Sequence, residues 1–253
     1  MIGIARRLSY ARSLPGTSFG LAVRTLEWMT LATPRLLWRL RHLASGPLPN
    51  GIDLCNDALR ALGIAIVADR LENVPRTGPL VVLANHPTGI LDGAALLSAL
   101  SSVRGDTRIM ARALADDMPQ VAPLLLAVPY GHSVDRRARL RELTRTARAH
   151  LASGGSVALF PAGRIATGAE PEWSAFGVRL AQEVGAAVLP VRILDQPSRL
   201  YRFAARVHPI SRQGVLLHEV LRRADKPFHI RIGPPMTPFN LTTESVRAAV
   251  LNL

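Results

Sequence analysis

Short apolar runs alternate with amphipathic stretches along most of this chain. Short runs of mainly apolar residues are typical of strands in a covered sheet, and apolar positions at every third or fourth residue are typical of helices. The predicted strands are 64–68, 80–84, 107–111, 156–160, 187–193 and 228–233. The predicted helices are 56–62, 92–100, 136–151, 173–184, 197–225 and 242–251. Their alternation predicts a single α/β domain with a mostly parallel mixed sheet flanked by helices.

Prolines interrupt this pattern at two places. Three of them make the apolar segment 118–130 a poor regular helix. This segment could line an acyl-chain groove, form a membrane-facing edge or pack in the core. Pro190 lies inside the predicted strand 187–193, which implies a sheet edge, a bulge or the end of the strand.

The first 50 residues have a different pattern. Apolar and aromatic residues alternate with arginines between residues 19 and 44, with a break at Thr33-Pro34, which predicts an amphipathic helical hairpin. Such a hairpin is suited to docking on a membrane, but it could also pack on the domain's own core. No run reaches the ~18 apolar residues of a spanning helix, and early arginines break the pattern of a signal peptide. We therefore divide the chain into a membrane-docking region, 1–50, and an α/β domain, 51–253.

The charge of the chain limits the classes of partner that it could bind. It has 31 Lys and Arg residues against 18 Asp and Glu residues, a formal net charge of +13. Nucleic acid, an anionic membrane and a phosphorylated substrate would all attract such a chain. Its arginines are scattered, only 5% of its residues are aromatic, and no nucleic-acid-binding module is recognisable. We therefore expect an anionic membrane surface as partner and no nucleic acid.

Cysteine and histidine usage limits the chemistry further. The single cysteine, Cys55, excludes an intramolecular disulfide and is consistent with a reducing compartment. The histidines lack the paired spacing of a metal-binding helix. No metal is therefore expected.

The candidate site lies at the end of the predicted strand 80–84. His86 follows that strand after Asn85, and Asp92 lies at or near the first turn of the next helix. Open α/β sheets bind their ligands at the carboxyl ends of strands. A histidine there can take a proton from an alcohol at neutral pH if a carboxylate orients its ring.

The spacing of His86 and Asp92 decides whether the two side chains can meet. In one straight helix, positions six apart point ~240° apart at ~100° per residue. The two residues can therefore meet only across a loop, and Pro87 and Gly89 favour one. The alternative is that Asp92 caps a helix and His86 is an ordinary turn residue.

Four segments of the chain resemble, in the right order, the motifs of the glycerolipid acyltransferase family, which includes bacterial 1-acylglycerol-3-phosphate acyltransferase. Residues 85–93, NHPTGILDG, resemble its His-Asp motif. Residues 134–136 (VDR), 160–164 (FPAGR) and 189–191 (LPV) resemble its second, third and fourth motifs. The similarity spans roughly residues 71–235, and four ordered motifs are far more specific than one.

The chain departs from the usual family pattern in two ways. Five residues separate His86 from Asp92, where four are commonest, and this spacing resembles the subgroup of ornithine-lipid and hemolysin-like acyltransferases. The third motif has Ala162 where Glu is usual. Both departures bear on the acceptor more than on the type of reaction.

The resemblance implies a membrane-associated acyltransferase of phospholipid biosynthesis. Acyl-CoA or acyl-carrier protein would donate a fatty acyl group to the hydroxyl of a lysophospholipid such as lysophosphatidic acid, with no further cofactor. The protein would lie on the cytoplasmic face of the membrane as a peripheral or monotopic protein. Acylation of a lyso-ornithine or other non-glycerophosphate lipid is an alternative. So is an inactive membrane-binding homologue, although the presence of both His86 and Asp92 argues against it.

The resemblance also implies roles for particular residues. The implied catalytic residues are His86 and Asp92, and the implied substrate-binding residues are Asn85, Arg136, Gly163 and Arg164. The planar fork of Arg164, helped by Arg136, would hold the acceptor phosphate. Gly163 would let the backbone approach the ligand closely.

Overall fold

The computed structural model of the 253-residue chain describes residues 21, 23, 25, 27, 32–41, 43, 48–112, 119–129, 135–207, 211 and 214–253, without the side chains of 32, 33 and 112. Val134 of the second family-like motif lies outside these residues, as does most of the first half of the predicted hairpin.

The strands in this part of the chain form one seven-stranded sheet. They are β1 (Ile66–Asp69), β2 (Leu80–Ala84), β3 (Thr107–Arg112), β4 (Leu125–Val128), β5 (Ser156–Leu159), β6 (Ala187–Ile193) and β7 (Phe228–Ile232). Their order across the sheet is β1-β7-β6-β2-β5-β3-β4. All neighbouring strands are parallel except β6 and β7, so β1 and β7 run opposite to the other five. The predicted mostly parallel mixed sheet is confirmed.

Helices cover both faces of this sheet. They are α1 (Ala32–Arg39), α2 (Ile52–Ala61), α3 (Ile90–Ser101), α4 (Arg136–Ala152), α5 (Phe176–Val184), α6 (Arg199–Val207), α7 (Leu216–Arg222) and α8 (Thr243–Leu251). There are also two short 3-10 helices, Leu71–Asn73 and Pro119–Leu124. Within these ranges every helix is too short or too polar to cross a bilayer.

The central strand β2 is buried on both faces, which explains its unbroken apolar sequence. Alternate side chains of a strand point to opposite faces of the sheet. Val82 accordingly lies in one apolar layer with Leu96 of α3, whereas Val81 lies in the other with Ala147 of α4 and Leu180 of α5. The sheet therefore separates two apolar layers, and the helix that follows the β2–α3 loop packs in the first of them.

The amino ends of the parallel strands are joined by a buried arginine. Arg104 is 6% exposed and donates to the carbonyl oxygens of Pro75, Gly78 and Gly154 at 3.0, 3.1 and 2.8 Å. It also donates to the Asp106 carboxylate at 2.7 and 2.8 Å. This hydrogen bonding from Arg104 lowers the pKa of Asp106 below its usual value. Arg104 thereby ties together the segments that lead into β2, β3 and β5.

Five of the predicted strands both begin and end within one residue of the observed ones, and β1 begins two residues later than predicted. One strand was missed. The segment 118–130 was predicted only as a poor helix, yet it contains β4, which pairs with β3 alone. Pro123 precedes this strand and Pro129 follows it, so the prolines bound β4 without interrupting it.

Pro190 lies inside β6, which is flanked by β2 and β7 and is not an edge strand. On the β7 side, Val191 pairs with Ile232 and Val188 forms an isolated bridge to Met236. Two residues of β6 therefore lie opposite three residues of the facing segment, which is a bulge. Of the three possibilities implied by the sequence, the bulge is the one found.

Helix α1 packs on the domain through one face. Leu36 and Leu40 are buried in the first apolar layer, and Arg39 donates to the Asp225 carboxylate at 2.7 Å. Trp38, on the outer face, is 61% exposed. The inner face of α1 thus fits the core-packing alternative, whereas membrane contact by the outer face stays a prediction.

Candidate active site

The loop between β2 and α3 brings His86 and Asp92 together. Nδ1 of His86 lies 2.8 Å from Oδ2 of Asp92. Because α3 begins at Ile90, the intervening residues are looped as the spacing requires, and Asp92 lies in the first helical turn. With its proton on Nδ1, the ring donates to the carboxylate and keeps Nε2 as a proton acceptor. The His86 side chain is 19% exposed, so a substrate can reach it.

The Asp92 carboxylate is fully buried and is surrounded by donors. The backbone N–H groups of Thr88 and Gly89 donate to Oδ2 at 2.8 and 3.0 Å. The Thr88 hydroxyl donates to Oδ1. Both carboxylate oxygens are therefore held by the loop, and the orientation of the His86 ring follows from them. The sequence pattern indicates no role for Thr88, since its contacts depend on the geometry of the loop.

Gly89 is required by the shape of this loop. Its φ is +93°, a conformation that side chains rarely adopt. A Cβ added there would lie 3.0 Å from Cδ1 of Ile165 and 3.4 Å from Cδ2 of Leu216. A larger residue would therefore displace the loop that positions Asp92.

Phe160 forms one wall of the site. Its ring stacks on His86, with the ring centroids 4.2 Å apart and the planes 10° from parallel. The segment after it also holds the histidine, because the Ala166 N–H donates to the His86 carbonyl oxygen at 2.9 Å. Phe160 belongs to the third family-like motif but was assigned no role. Its position at the end of the predicted strand 156–160 is the signal that could have identified it, and the structure adds that this strand neighbours β2.

Asn85 joins the site to β6. Its side-chain amide donates to the Ile193 carbonyl oxygen at 2.9 Å and accepts from the Ile193 N–H at 2.7 Å. This side chain therefore continues the β2–β6 ladder past its last pair, Ala84 and Val191. Because Asn85 is 6% exposed and both its polar groups are engaged, the structure gives it a positioning role. Direct contact of Asn85 with substrate stays a prediction.

The other predicted binding residues lie in two places. Gly163, with φ +61°, donates its N–H to the Phe160 carbonyl oxygen at 3.0 Å and so closes a tight turn. Arg164 follows it on the surface, in the segment that contacts His86. Arg136 is exposed at the start of α4, beyond β4. A role of Arg136 in substrate binding stays a prediction.

Metal ligands form no cluster in the described part of the chain. No group of three or more His, Cys, Asp or Glu side chains there could hold a metal ion. The expectation that no metal takes part stays a prediction.

A histidine bound to a buried carboxylate at the carboxyl end of a central strand is an arrangement for moving a proton to or from a reacting group. The fold and the site together define an α/β protein built for proton-assisted group transfer. The acyltransferase family model matches residues 65–194, just over half of the chain. The chain therefore belongs to the acyltransferase family, and its general activity is acyl transfer. The match includes His86, Asp92, Phe160 and Arg164.

A solved structure shares this fold. The chain is similar to the 1-acyl-sn-glycerophosphate (LPA) acyltransferase, PlsC, from Thermotoga maritima, with a TM-score of 0.56. The sequences are 17% identical, and the similarity covers 79% of this chain and 75% of that one. At this identity the comparison shows a common fold. No curated protein matches the sequence.

Proposed function

We propose that the protein moves a fatty acyl group from an acyl thioester to the hydroxyl of a lysophospholipid such as lysophosphatidic acid, as a step of phospholipid biosynthesis. The observation that carries this proposal is the 2.8 Å contact between His86 and the buried Asp92 in an acyltransferase-family chain. The solved structure with the same fold is of an enzyme named for 1-acyl-sn-glycerophosphate.

The geometry supports a direct transfer between donor and acceptor. Nε2 of His86 removes the acceptor's hydroxyl proton while that oxygen attacks the thioester carbonyl carbon. The new C–O bond forms, the C–S bond breaks, and the proton passes from His86 to the departing thiolate. Asp92 stabilises the imidazolium that exists between these steps. The thioester is already activated, so no covalent enzyme intermediate is needed.

Arg164 is our candidate for binding the acceptor phosphate. It is exposed, and it lies two residues before Ala166, whose N–H holds the His86 backbone. A guanidinium can make two parallel charge-assisted hydrogen bonds to one phosphate. Gly163 shapes the turn that presents it, and Arg136 would add positive charge at the same edge of the sheet.

The proposed location is the surface of an anionic membrane, on its cytoplasmic face. The net charge of +13 supports this proposal. So does the outer face of α1, where the Arg41 guanidinium lies 4.2 Å from the centroid of the exposed Trp38 ring. The acyl donor would be acyl-CoA or acyl-carrier protein, with no other cofactor.

A second acceptor class is favoured by one observation. Ala162, where the family usually has Glu, packs against the second apolar layer. Position 162 therefore offers no carboxylate to the acceptor. Together with the five-residue spacing between His86 and Asp92, this supports a lyso-ornithine or other non-glycerophosphate lipid as the alternative acceptor. An inactive membrane-binding homologue is a weaker alternative, because the His86–Asp92 contact is intact.

The reaction can be tested by mass-spectrometric product analysis. The protein is offered acyl-CoA and acyl-carrier protein, each with a panel of lysophospholipids and a lyso-ornithine lipid. We expect an acylated lysophosphatidic acid as product. Acylation of the ornithine lipid alone would select the second acceptor class, and the absence of any acylated product would reject both.

Arg164→Lys tests the phosphate contact. A lysine cannot reproduce the planar fork, so we expect the KM for lysophosphatidic acid to rise about 10-fold while the donor's KM stays nearly constant. Arg179→Lys, an exposed change on α5, is the matched control. Steady-state kinetics with each substrate varied in turn provide the measurement. An increase confined to the donor's KM would contradict the role of Arg164.

A further inference from the structure

Helix α6 exposes an apolar stripe beside a row of arginines. The α6 stripe consists of Leu200, Phe203 and Val207, which are 41%, 65% and 60% exposed. The α6 arginines are Arg199, Arg202 and Arg206, all of them exposed. At ~100° per residue, each set spans an arc of ~60° and the two arcs are neighbours. The helix contains no acidic residue.

The face of α6 opposite the arginines fixes the helix to the domain. Tyr201 and Ala204 are buried at 1% and 6% exposure, and their cluster packs against Ile165. At the start of the helix, the Ser198 hydroxyl accepts from the Tyr201 N–H at 2.9 Å. The Ser198 N–H in turn donates to Glu219 of α7 at 2.9 Å. The α6 stripe is therefore held outward by a firmly anchored helix.

Helix α6 also lies close to the catalytic loop. Ile165, which supports α6, comes so near the β2–α3 loop that a Cβ added at Gly89 would lie 3.0 Å from its Cδ1. The next residue, Ala166, donates its N–H to the His86 carbonyl oxygen. The cluster that anchors α6 thus packs against the segment that holds the His86 backbone.

We propose that the α6 stripe inserts into an anionic lipid bilayer while the α6 arginines bind the lipid headgroups. Arginines beside a row of Leu, Phe and Val side chains are the pattern of a helix lying in a membrane interface. Each arginine near such a surface is attracted to its anionic lipids. The α6 stripe is separate from the membrane-docking region, 1–50. The choice of a lipid bilayer as its partner rests on the proposed function, since a lysolipid acceptor resides in a membrane.

A bilayer fits this surface better than a protein partner does. The side chains of Phe203 and Val207 stand out from the helix with more than half of their surface exposed. Hydrocarbon accommodates protruding side chains without a matching shape, whereas a protein partner needs complementary pockets. An acidic carrier protein, attracted by the same arginines, is the competing occupant in the test.

A dye attached at position 203 can detect insertion directly. Phe203→Cys and Phe239→Cys are made in the full chain and labelled with an environment-sensitive thiol dye. Phe239 is 69% exposed, and it lies beyond β7 at the opposite end of the sheet, so it serves as control. Burial raises the pKa of the natural Cys55 thiol to about 11, so this residue reacts slowly.

Mixed phosphatidylglycerol–phosphatidylcholine vesicles should shift the emission of the dye at position 203 to the blue and leave the dye at 239 unchanged. Vesicles of phosphatidylcholine alone should produce a smaller shift. An unchanged emission at 203, or equal shifts at both positions, would overturn the proposal.

Vesicle affinity provides a second measurement. The double substitution Phe203→Ser and Val207→Ser should weaken binding to the anionic vesicles about 10-fold or more, whereas Phe239→Ser should leave it unchanged. Unchanged binding of the double variant would refute insertion. Loss of binding to acyl-carrier protein with vesicle binding intact would overturn the proposal in favour of a protein partner.

Activity assays separate this proposal from the proposed function. With a short-chain lysolipid below its micelle concentration, the double variant should match the parent, and its rate should fall only with acceptor embedded in vesicles. If the parent transfers no acyl group to any acceptor, the proposed function fails, and the vesicle measurements still decide the role of α6. A loss of activity on the soluble acceptor would contradict a membrane role for the stripe.

Discussion

Asp92 at the carboxyl end of the parallel strands and Arg104 at their amino end are both buried charged side chains. The five N–H donors of the Arg104 guanidinium meet three carbonyl oxygens and both oxygens of one carboxylate. Asp92 is likewise satisfied, by two loop amides, a hydroxyl and His86. Among these partners His86 is the one with a second nitrogen able to take up a proton. A buried charge thus serves structure where all its partners belong to the scaffold of the fold, and it can serve catalysis where one partner has a further atom that can accept a proton from a substrate.

The largest effect should come from removing His86, the partner proposed to accept a proton. We expect His86→Ala to reduce acyl transfer by ~10²-fold or more while the fold is retained, because general-base catalysis is lost. His229→Ala, an exposed change on β7, should keep the parent's rate. Initial rates and circular dichroism of both variants provide the check. If the rate of His86→Ala stayed within a few-fold of the parent's rate, His86 would not be the general base, and the proposed difference between Asp92 and Arg104 would not hold.

Arg104→Ala should affect stability and spare chemistry. The change leaves a carboxylate and three carbonyl oxygens without their donor, so we expect the free energy of unfolding to fall by ~3 kcal/mol. Arg60→Ala is a suitable control, because Arg60 pairs with Asp57 in an exposed i,i+3 ion pair. That control should cost less than ~1 kcal/mol in urea denaturation. Equal losses in the two variants would show that burial does not matter here.

Phe160→Leu should lower kcat about 10-fold with little change in KM, because the ring that holds His86 in orientation is removed. Phe160→Tyr keeps an aromatic ring against the imidazole and should retain most of the rate. Steady-state kinetics of the two variants separate ring stacking from simple space filling. Equal losses of kcat in both variants would argue against a positioning role for the stack.

Asp106→Asn should have the smallest effect, and that effect should depend on pH. Because the pKa of Asp106 is lowered in the folded protein, the carboxylate stabilises the fold above its unfolded pKa, and this contribution is lost as pH falls through the folded value. The side chain is 43% exposed, so we expect a loss of less than ~1 kcal/mol at pH 7. Urea denaturation should show this difference between variant and parent shrinking towards about pH 3. If the difference in stability persisted at low pH, it would come from packing and not from the charge of Asp106.

Much of the fold could be predicted because its central strands β2, β5 and β6 are buried on both faces. The predicted bounds of β2 and β6 match the structure, since continuous apolar runs mark such strands. Strand β4 was missed because prolines lie close to both of its ends and its pairing with β3 is a property of the assembled sheet. Pro190 predicted a sheet edge, a bulge or the end of a strand, and only the position of the facing segment shows that a bulge is present.

The part of the site that depends on local geometry could be predicted from the sequence. The looped contact of His86 with Asp92 follows from their spacing and from the residues between them. The Phe160 stack depends on β5 lying next to β2, and strand order is not contained in local patterns. The pairing of Asn85 with Ile193 joins residues 108 positions apart, so the sequence pattern around Asn85 could not reveal it.

The strand order also bears on how the protein is synthesised. Strand β2 is fully buried between β5 and β6, and both of these strands come later in the chain. A ribosome that adds ~5–20 residues per second needs roughly 5–20 s to proceed from Ala84 to Ile193. Until β5 has been made, the apolar sequence LVVLA has neither of its neighbours to pair with, and for the rest of this interval it has only one. We therefore expect the yield of folded protein in cells to depend on chaperones that shield the nascent chain until β6 has been made.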